Sequence, residues 1–201
     1  YASLGYRVTG SDTVRSVITD RLIAQGIPVY IGESADQITR DTSLVVYTEG
    51  IVRNDEDHED ALRRNPETNA GLEKNIPVLS YPQALGEVFN DRYGVAIAGT
   101  HGKSTTTSLL GLVVQASHLP ASTLTGTNLS QFEGTNYFTS GDQYFVIEAC
   151  EHKRHFLNYH PQITIITNIE ADHLDYYRDE DDYEQAFAQL MRQTSGAIIL
   201  T

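Results

Sequence analysis

A glycine-rich segment followed by a lysine and hydroxyl residues lies directly after a predicted strand. It runs Gly-Thr-His-Gly-Lys-Ser-Thr-Thr-Thr over residues 99–107, and the apolar residues 109–114 behind it predict a helix. Glycines let backbone N–H groups converge on phosphate oxygens, and a helix N-terminus adds partial positive charge. Lys103 would neutralise phosphate charge, and Ser104 or Thr105 would offer a hydroxyl to Mg²⁺. The order predicts a phosphate-binding loop, against the alternative of an ordinary turn with a solvated lysine.

The loop is shorter than the general phosphate-loop pattern. That pattern has a glycine five positions before the glycine of the Gly-Lys pair, and here the position is Ile97, inside the predicted strand. The form is therefore Gly-x-x-Gly-Lys-Ser.

Acidic residues and a histidine follow two other predicted strands. Glu148 comes after the apolar run 144–147, and Asp172 and His173 come shortly after the run 163–166. Because the carboxyl ends of parallel strands meet at one edge of a sheet, we expect these side chains near the phosphate loop. The carboxylate suits Mg²⁺, and the imidazole suits a second metal or a ligand contact. Taken singly, each residue has the alternative of a helix-start charge or a solvated side chain.

The rest of the chain predicts alternating strands and helices. Apolar spacing predicts a helix over residues 14–23, the charged stretch 55–74 is helix-forming, and a further helix is predicted over residues 82–90. Strands are predicted over residues 6–12, 28–31, 44–47, 76–79, 93–98 and 197–200. Four runs, at 95–98, 144–147, 163–166 and 197–200, are continuously apolar, which favours strands buried on both faces of a parallel sheet. We predict an α/β fold in two units that meet near Asn90. Both ends are abrupt, so we expect a fragment of a longer protein.

The amino-acid composition argues against some classes of function. The 201 residues include 27 acidic and 14 basic side chains, for a net charge of −13, which argues against a nucleic-acid partner. Cys150 is the single cysteine, so an internal disulfide is excluded, and we expect it to be a small buried residue. Without an apolar run of about 18 residues, the sequence predicts a cytoplasmic protein with no membrane partner. It predicts no particular oligomeric state.

A basic cluster stands out in this acidic chain. His152, Lys153, Arg154 and His155 follow Glu148 closely. The cluster could bind an anionic substrate group, or it could be a solvated helix start, and the sequence leaves both open.

Three segments together resemble the Mur ligase family. They are residues 98–107, residues 148–157 with the sequence Glu-Ala-Cys-Glu-His-Lys-Arg-His-Phe-Leu, and residues 167–175 with Thr-Asn-Ile-Glu-Ala-Asp-His-Leu-Asp. Residues 5–12 also resemble the end of the family's second N-terminal strand. The resemblance covers essentially the whole chain.

The resemblance implies a fold and an activity. Residues 1–89 would form a UDP-sugar-binding, Rossmann-like domain that is incomplete at its N-terminus. Residues 90–201 would form a P-loop-containing, mostly parallel-sheet ATPase domain that is incomplete at its C-terminus. The implied reaction uses ATP and Mg²⁺ to join L-alanine to the lactyl carboxylate of UDP-N-acetylmuramate through an acyl phosphate, in peptidoglycan precursor synthesis. The alternatives are a ligase that attaches a tripeptide to the same sugar nucleotide and a non-catalytic nucleotide-binding module.

The resemblance also implies residue roles. Lys103 would stabilise the transferring phosphoryl group, Ser104 and Glu148 would hold one Mg²⁺, and His173 would contact a second. The catalytic set is then Lys103, Glu148 and His173. The nucleotide-binding set is Gly99, Thr100, His101, Gly102, Lys103, Ser104, Thr105 and Asn168.

The chain departs from the family pattern at three places. The glycine-rich loop for the uridine diphosphate would precede Tyr1. No lysine follows Lys153, whereas several relatives carry a carbamoylated lysine downstream. The branch that this chain resembles also lacks that lysine. Thr48-Glu49 replaces the Ser-Pro expected after the strand at 44–47, which weakens the case for substrate contacts there.

Overall fold

The computed structural model describes residues 1–53, 56–173 and 175–201. The predicted helix start at Asp55 and the motif residue Leu174 lie outside the described residues. Internal contacts divide the chain into two units, Tyr1–Tyr81 and Pro82–Thr201. The domain boundary expected between residues 89 and 90 stays a prediction.

Among its described residues, the first unit contains short parallel strand pairs and three α-helices. Its elements are β1 (Gly10–Asp12), α1 (Val17–Ala24), β2 (Val29–Ile31), β3 (Val45–Tyr47), α2 (His58–Arg64), α3 (Pro66–Glu73) and β4 (Val78–Ser80). β1 pairs with β2 and β3 with β4, both in parallel. The strand predicted over 6–12 is thus limited to its last three residues. Gly26 follows α1 with φ +85°, as the sequence predicted for a helix end.

The stretch predicted to be helix-forming, residues 55–74, is helical over most of its described residues, but it folds as two helices. α2 and α3 are separate helices that meet at Asn65. The Asn65 side chain accepts hydrogen bonds from the N–H groups of Glu67 (3.0 Å) and Thr68 (3.1 Å), which caps α3. Pro66, at the first position of α3, has no N–H with which to continue α2. The cap and the proline therefore divide the segment.

The second unit is built on a six-stranded sheet. Its elements are α4 (Tyr81–Asn90), β5 (Tyr93–Ala98), α5 (Lys103–Ala116), β6 (Ala121–Leu129), β7 (Thr135–Thr139), β8 (Tyr144–Glu148), β9 (Ile163–Ile166), α6 (Glu180–Gln193) and β10 (Ala197–Leu200). The strand order is β10-β9-β5-β8-β6-β7. All neighbouring strands are parallel except β6 and β7, which are antiparallel. The predicted α/β class with mostly parallel strands is confirmed.

Two features of this sheet differ from the prediction. The β6–β7 hairpin was missed, because its many Thr, Ser and Asn residues lack the apolar run of a buried strand. β10 was expected to be buried on both faces, yet all four of its residues are exposed. It forms an edge of the sheet, where Leu200 is 65% exposed.

The core of the second unit lies on both faces of the sheet. Along β5, Ala96 and Ala98 belong to one hydrophobic cluster and Ile97 to the other, as the alternation of a strand requires. α6 contributes to the first cluster with Tyr183, Ala186, Phe187 and Leu190, which follow helical spacing. α5 contributes Val114 to the second. This packing fixes the carboxyl ends of β5, β8 and β9. In the described part of the chain, no helix has the length and apolarity to span a membrane.

Candidate active site

Two glycines shape the loop between β5 and α5. Gly99 has φ +136°, and a Cβ added there would lie 2.1 Å from Thr167 Oγ1. Gly102, at φ +81°, is the N-cap of α5. Side chains other than glycine rarely adopt either conformation. The loop therefore turns tightly enough for α5 to begin at Lys103, and the helix predicted from residues 109–114 extends over Lys103–Ala116.

The Lys103 ammonium group contacts three acceptors of the protein. Its Nζ donates to the carbonyls of Gly99 (2.6 Å) and Thr100 (3.1 Å) and to Glu151 Oε1 (3.0 Å). The second Glu151 oxygen, Oε2, lies 2.9 Å away. An ammonium group has three donors, so this set can use all of them. Lys103 must give up at least one of these contacts before it can bind a phosphate oxygen.

Ser104 and Glu148 form a pair suited to a magnesium ion. Ser104 Oγ donates to Glu148 Oε1 at 2.9 Å, and the Gly126 N–H donates to Glu148 Oε2 at 2.6 Å. Octahedral Mg²⁺ holds oxygen ligands at about 2.0–2.1 Å, so adjacent ligands stand about 2.9 Å apart. The spacing of the two side-chain oxygens therefore fits neighbouring positions on one ion.

Protein ligands alone do not complete a metal site here. Within residues 1–53, 56–173 and 175–201, no group of three or more His, Cys, Asp or Glu side chains is placed to hold a metal. Mg²⁺ commonly uses one or two carboxylates and takes its other ligands from phosphates and water. The Ser104–Glu148 pair matches that mode.

Thr100 and Asn168 hold the loop against the segment after β9. Thr100 Oγ1 donates to the Glu170 carbonyl (2.8 Å) and accepts from the Glu170 N–H (2.9 Å). The Tyr183 hydroxyl, 2.9 Å away, then donates to Thr100, because Thr100 has already used its own proton. Burial raises the pKa of Tyr183 to about 12, which keeps this donor protonated. The His101 N–H donates to Asn168 Oδ1 at 2.8 Å.

His173 lies near Glu151, the partner of Lys103. Asp172 makes a separate contact. His173 Nε2 is 3.6 Å from Glu151 Oε1, and its ring centroid is 4.6 Å from that of His152. His173 has φ +54°, in the left-handed region. Asp172 is exposed, and its Oδ1 accepts from the His173 N–H at 2.7 Å. The structure thus links Lys103 to His173 through Glu151 and leaves Asp172 supporting the turn.

Glu151 is the central residue that the sequence reasoning left without a role. It is 1% exposed, and its carboxylate lies between Lys103 and His173. The available signal was a second acidic residue three positions after Glu148, followed by the basic cluster. That spacing does not reveal that the side chain turns inward.

The basic cluster, residues 152–155, does not begin a regular helix, and one of its cations is already paired with an acid. Residues His152–Asn158 form a 3₁₀ segment in which Lys153 (φ +50°) and Arg154 (φ +58°) are left-handed. Arg154 forms an ion pair with Asp182 at 2.8 Å and packs over the Tyr177 ring at 5.1 Å. Its guanidinium group therefore already has an anionic partner.

Cys150 is exposed, so its prediction as a small buried residue is wrong. It follows the end of β8, where the chain leaves the sheet.

In the first unit, Thr48 Oγ1 accepts from the Gly50 N–H at 3.3 Å and caps a short 3₁₀ turn, Glu49–Ile51. A local capping role is thus the contact visible for Thr48.

The fold and the loop define an α/β protein with a Gly-x-x-Gly-Lys-Ser loop between a central strand, β5, and the helix α5. Comparison with known families agrees with this class. The model of the Mur ligase middle domain matches residues 97–201, and the model described as the Mur ligase family catalytic domain matches residues 1–93. The chain belongs to the Mur ligase family.

Two individual relatives show which enzymes of the family the chain is similar to. The chain is 41% identical over 184 residues to UDP-N-acetylmuramate–L-alanine ligase of Clostridium kluyveri, covering 91% of this chain and 38% of the relative. It is 40% identical over 199 residues to the enzyme of the same name from Agathobacter rectalis, covering 98% and 41%. The chain therefore spans about two fifths of the length of these relatives.

Two solved structures share the fold. The UDP-N-acetylmuramate-alanine ligase MurC from Thermotoga maritima superposes with a TM-score of 0.82 at 27% identity, covering 98% of this chain and 44% of that one. The UDP-N-acetylmuramate:L-alanyl-gamma-D-glutamyl-meso-diaminopimelate ligase from Neisseria meningitides gives 0.78 at 28% identity, covering 99% and 64%.

Proposed function

We propose that this chain is part of an ATP-dependent ligase that joins L-alanine to the lactyl carboxylate of UDP-N-acetylmuramate, releasing ADP and phosphate. The observation that carries the proposal is the Ser104–Glu148 oxygen pair at 2.9 Å beside Lys103, in the first turn of α5. The names of the relatives at about 40% identity support the same reaction. The enzyme would act in the cytoplasm, in peptidoglycan precursor synthesis.

The two parts of the chain take different substrates in this proposal. Residues 1–89 bind the UDP-sugar, and residues 90–201 bind ATP through residues 99–105 and Asn168. The amino acid is positioned by parts of the enzyme outside these 201 residues. Nucleic acid and membrane have no part in the reaction.

The reaction brings like charges together, which decides what the site must supply. A lactyl carboxylate oxygen attacks the γ-phosphorus, and the bond from that phosphorus to the β–γ bridging oxygen breaks, so that ADP leaves with the electron pair. The reaction needs no protein nucleophile. The site must instead align the reactants and supply positive charge. Lys103 turns from a loop carbonyl or Glu151 to the phosphate oxygens and offsets their charge. The backbone N–H groups of the loop and of the first turn of α5 add to the positive field.

The second step forms the amide. The alanine amine attacks the acyl carbon, the carbon–oxygen bond to phosphate breaks, and the amine proton passes to solvent. When bound, Mg²⁺ would neutralise charge on the phosphates, and Ser104 and Glu148 would hold it. His173 would serve a second ion, close to Glu151.

The tripeptide ligase is the competing function. Its support is the TM-score of 0.78 to the Neisseria structure, at 28% identity. The higher identity to the alanine ligases, 41%, favours alanine.

The test is phosphate release by the full-length protein with ATP and UDP-N-acetylmuramate. We expect release to rise when L-alanine is added and to respond little to the tripeptide. Stimulation by the tripeptide alone would transfer the assignment to the competing ligase. A protein that binds ATP but releases no phosphate would instead be a non-catalytic nucleotide-binding module.

A further inference from the structure

Glu151 is a buried carboxylate that occupies the lysine of the phosphate-binding loop. Its side chain is 2% exposed and that of Lys103 is 13% exposed, so solvent screens their attraction only weakly. The ammonium lies 3.0 Å from Oε1 and 2.9 Å from Oε2. This contact neutralises the positive charge on which phosphate binding depends.

The backbone of Glu151 is held from two sides. The Tyr177 hydroxyl and the Arg154 N–H (2.9 Å) both donate to the Glu151 carbonyl. Burial raises the pKa of Tyr177, so its hydroxyl remains a donor. The main chain at Glu151 is thus fixed and its carboxylate is paired with Lys103, so a nucleotide must bind in the presence of this acid.

The charges around the loop therefore disfavour a nucleotide without a metal. Glu148 adds a second carboxylate, which contacts Ser104 in the first turn of α5. A metal-free triphosphate would have to compete with Glu151 for Lys103 and approach both carboxylates. A nucleotide that carries Mg²⁺ brings its own positive charge, and the Ser104–Glu148 pair fits that ion.

We infer that Glu151 is a specificity-determining residue that makes the site reject metal-free nucleotide and accept the magnesium complex. The inference rests on the proposed function, because it assumes that the loop binds ATP. Glu151 acts through Lys103 and need not touch the nucleotide. The inference adds to the proposed ligase function a role for the buried Glu151 carboxylate that is separate from metal binding.

The test is a binding measurement with the full-length protein and the non-hydrolysable analogue adenylyl imidodiphosphate. Calorimetry gives its affinity in EDTA and in Mg²⁺, and the ratio of the two is the metal preference. In Glu151→Gln we expect the metal-free affinity to rise about tenfold, because a buried like charge is removed, and the preference to shrink by a similar factor. Glu184→Gln makes the same change on the exposed face of α6 and should keep the wild-type preference.

The outcomes separate the inference from the proposed function. Wild-type protein that binds neither form of the analogue contradicts the proposed function itself. Wild-type binding together with an unchanged preference in a folded Glu151→Gln variant overturns the inference alone. If thermal unfolding shows that the glutamine variant does not fold, Glu151→Asp withdraws the carboxylate from Lys103 by one methylene. The preference must then fall in the same direction, and an unchanged ratio would overturn the inference.

Discussion

Replacing Lys103 tests stability and catalysis at once, because this residue is both the expected phosphate ligand and the partner of a buried acid. Lys103→Met keeps much of the aliphatic stem and removes the ammonium. The variant leaves the Glu151 carboxylate, 1% exposed, without its ion pair. We expect both a loss of phosphate release and a measurable loss of stability in the second unit.

The magnitude follows from the burial of the pair. Removing one partner of a buried ion pair costs about 3–5 kcal/mol. The 13% exposure of the Lys103 side chain and the proximity of His173 Nε2, 3.6 Å from Glu151, favour the lower end. A loss of about 3 kcal/mol lowers the melting temperature of a unit of this size by roughly 10 °C. The double variant Lys103→Met/Glu151→Gln removes both charges, so it should recover to within about 1 kcal/mol of the wild type.

Thermal unfolding and phosphate release of the full-length protein are measured on the wild type, both single variants and the double variant. We expect the double variant to regain stability and to remain unable to release phosphate. A Lys103→Met protein as stable as the wild type would refute the argument. So would a double variant whose loss of stability equals the sum of the two single losses, because the residues would then not be coupled.

Three further changes test the site. Gly99→Ala places a methyl group 2.1 Å from Thr167 Oγ1 at φ +136°, so thermal unfolding should show a loss of about 3 kcal/mol or more; an unaffected variant contradicts the loop geometry. Tyr183→Phe removes the donor to Thr100 and should cost about 1 kcal/mol and raise the KM for ATP; an unchanged KM would limit Tyr183 to packing. Ser104→Ala should raise the Mg²⁺ concentration for half-maximal phosphate release about tenfold, and an unchanged requirement contradicts metal binding.

The positions of the main elements were predictable because their apolar patterns are local. β5, α4 and β9 lie within one residue of their predicted bounds, since each is a short apolar or amphipathic run with clear ends. The β6–β7 hairpin was not predictable in this way. Its stability comes from partners distant in the chain, β8 included, and its own polar sequence resembles a loop.

The sequence predicted which residues belong to the candidate site better than it predicted the contacts between them. Strand ends in a parallel sheet gather at one edge, so Glu148 and His173 were expected near Lys103. Sequence spacing cannot show which way a side chain points after a strand ends. For this reason Cys150 was wrongly expected inside, and the inward turn of Glu151 went unpredicted.

In the proposed function, the same loop residues serve both the architecture of the loop and ligand binding. Thr100 binds Glu170 and Tyr183 with its hydroxyl, so in this state its side chain organises the loop instead of facing a phosphate. Lys103 bonds to two carbonyls of the loop that it would leave when a nucleotide arrives. In the proposed function, Lys103 would have to leave at least one of these loop carbonyls each time a nucleotide binds. Under the inference drawn for Glu151, the buried acid beside that lysine would set how much positive charge the ligand must bring with it.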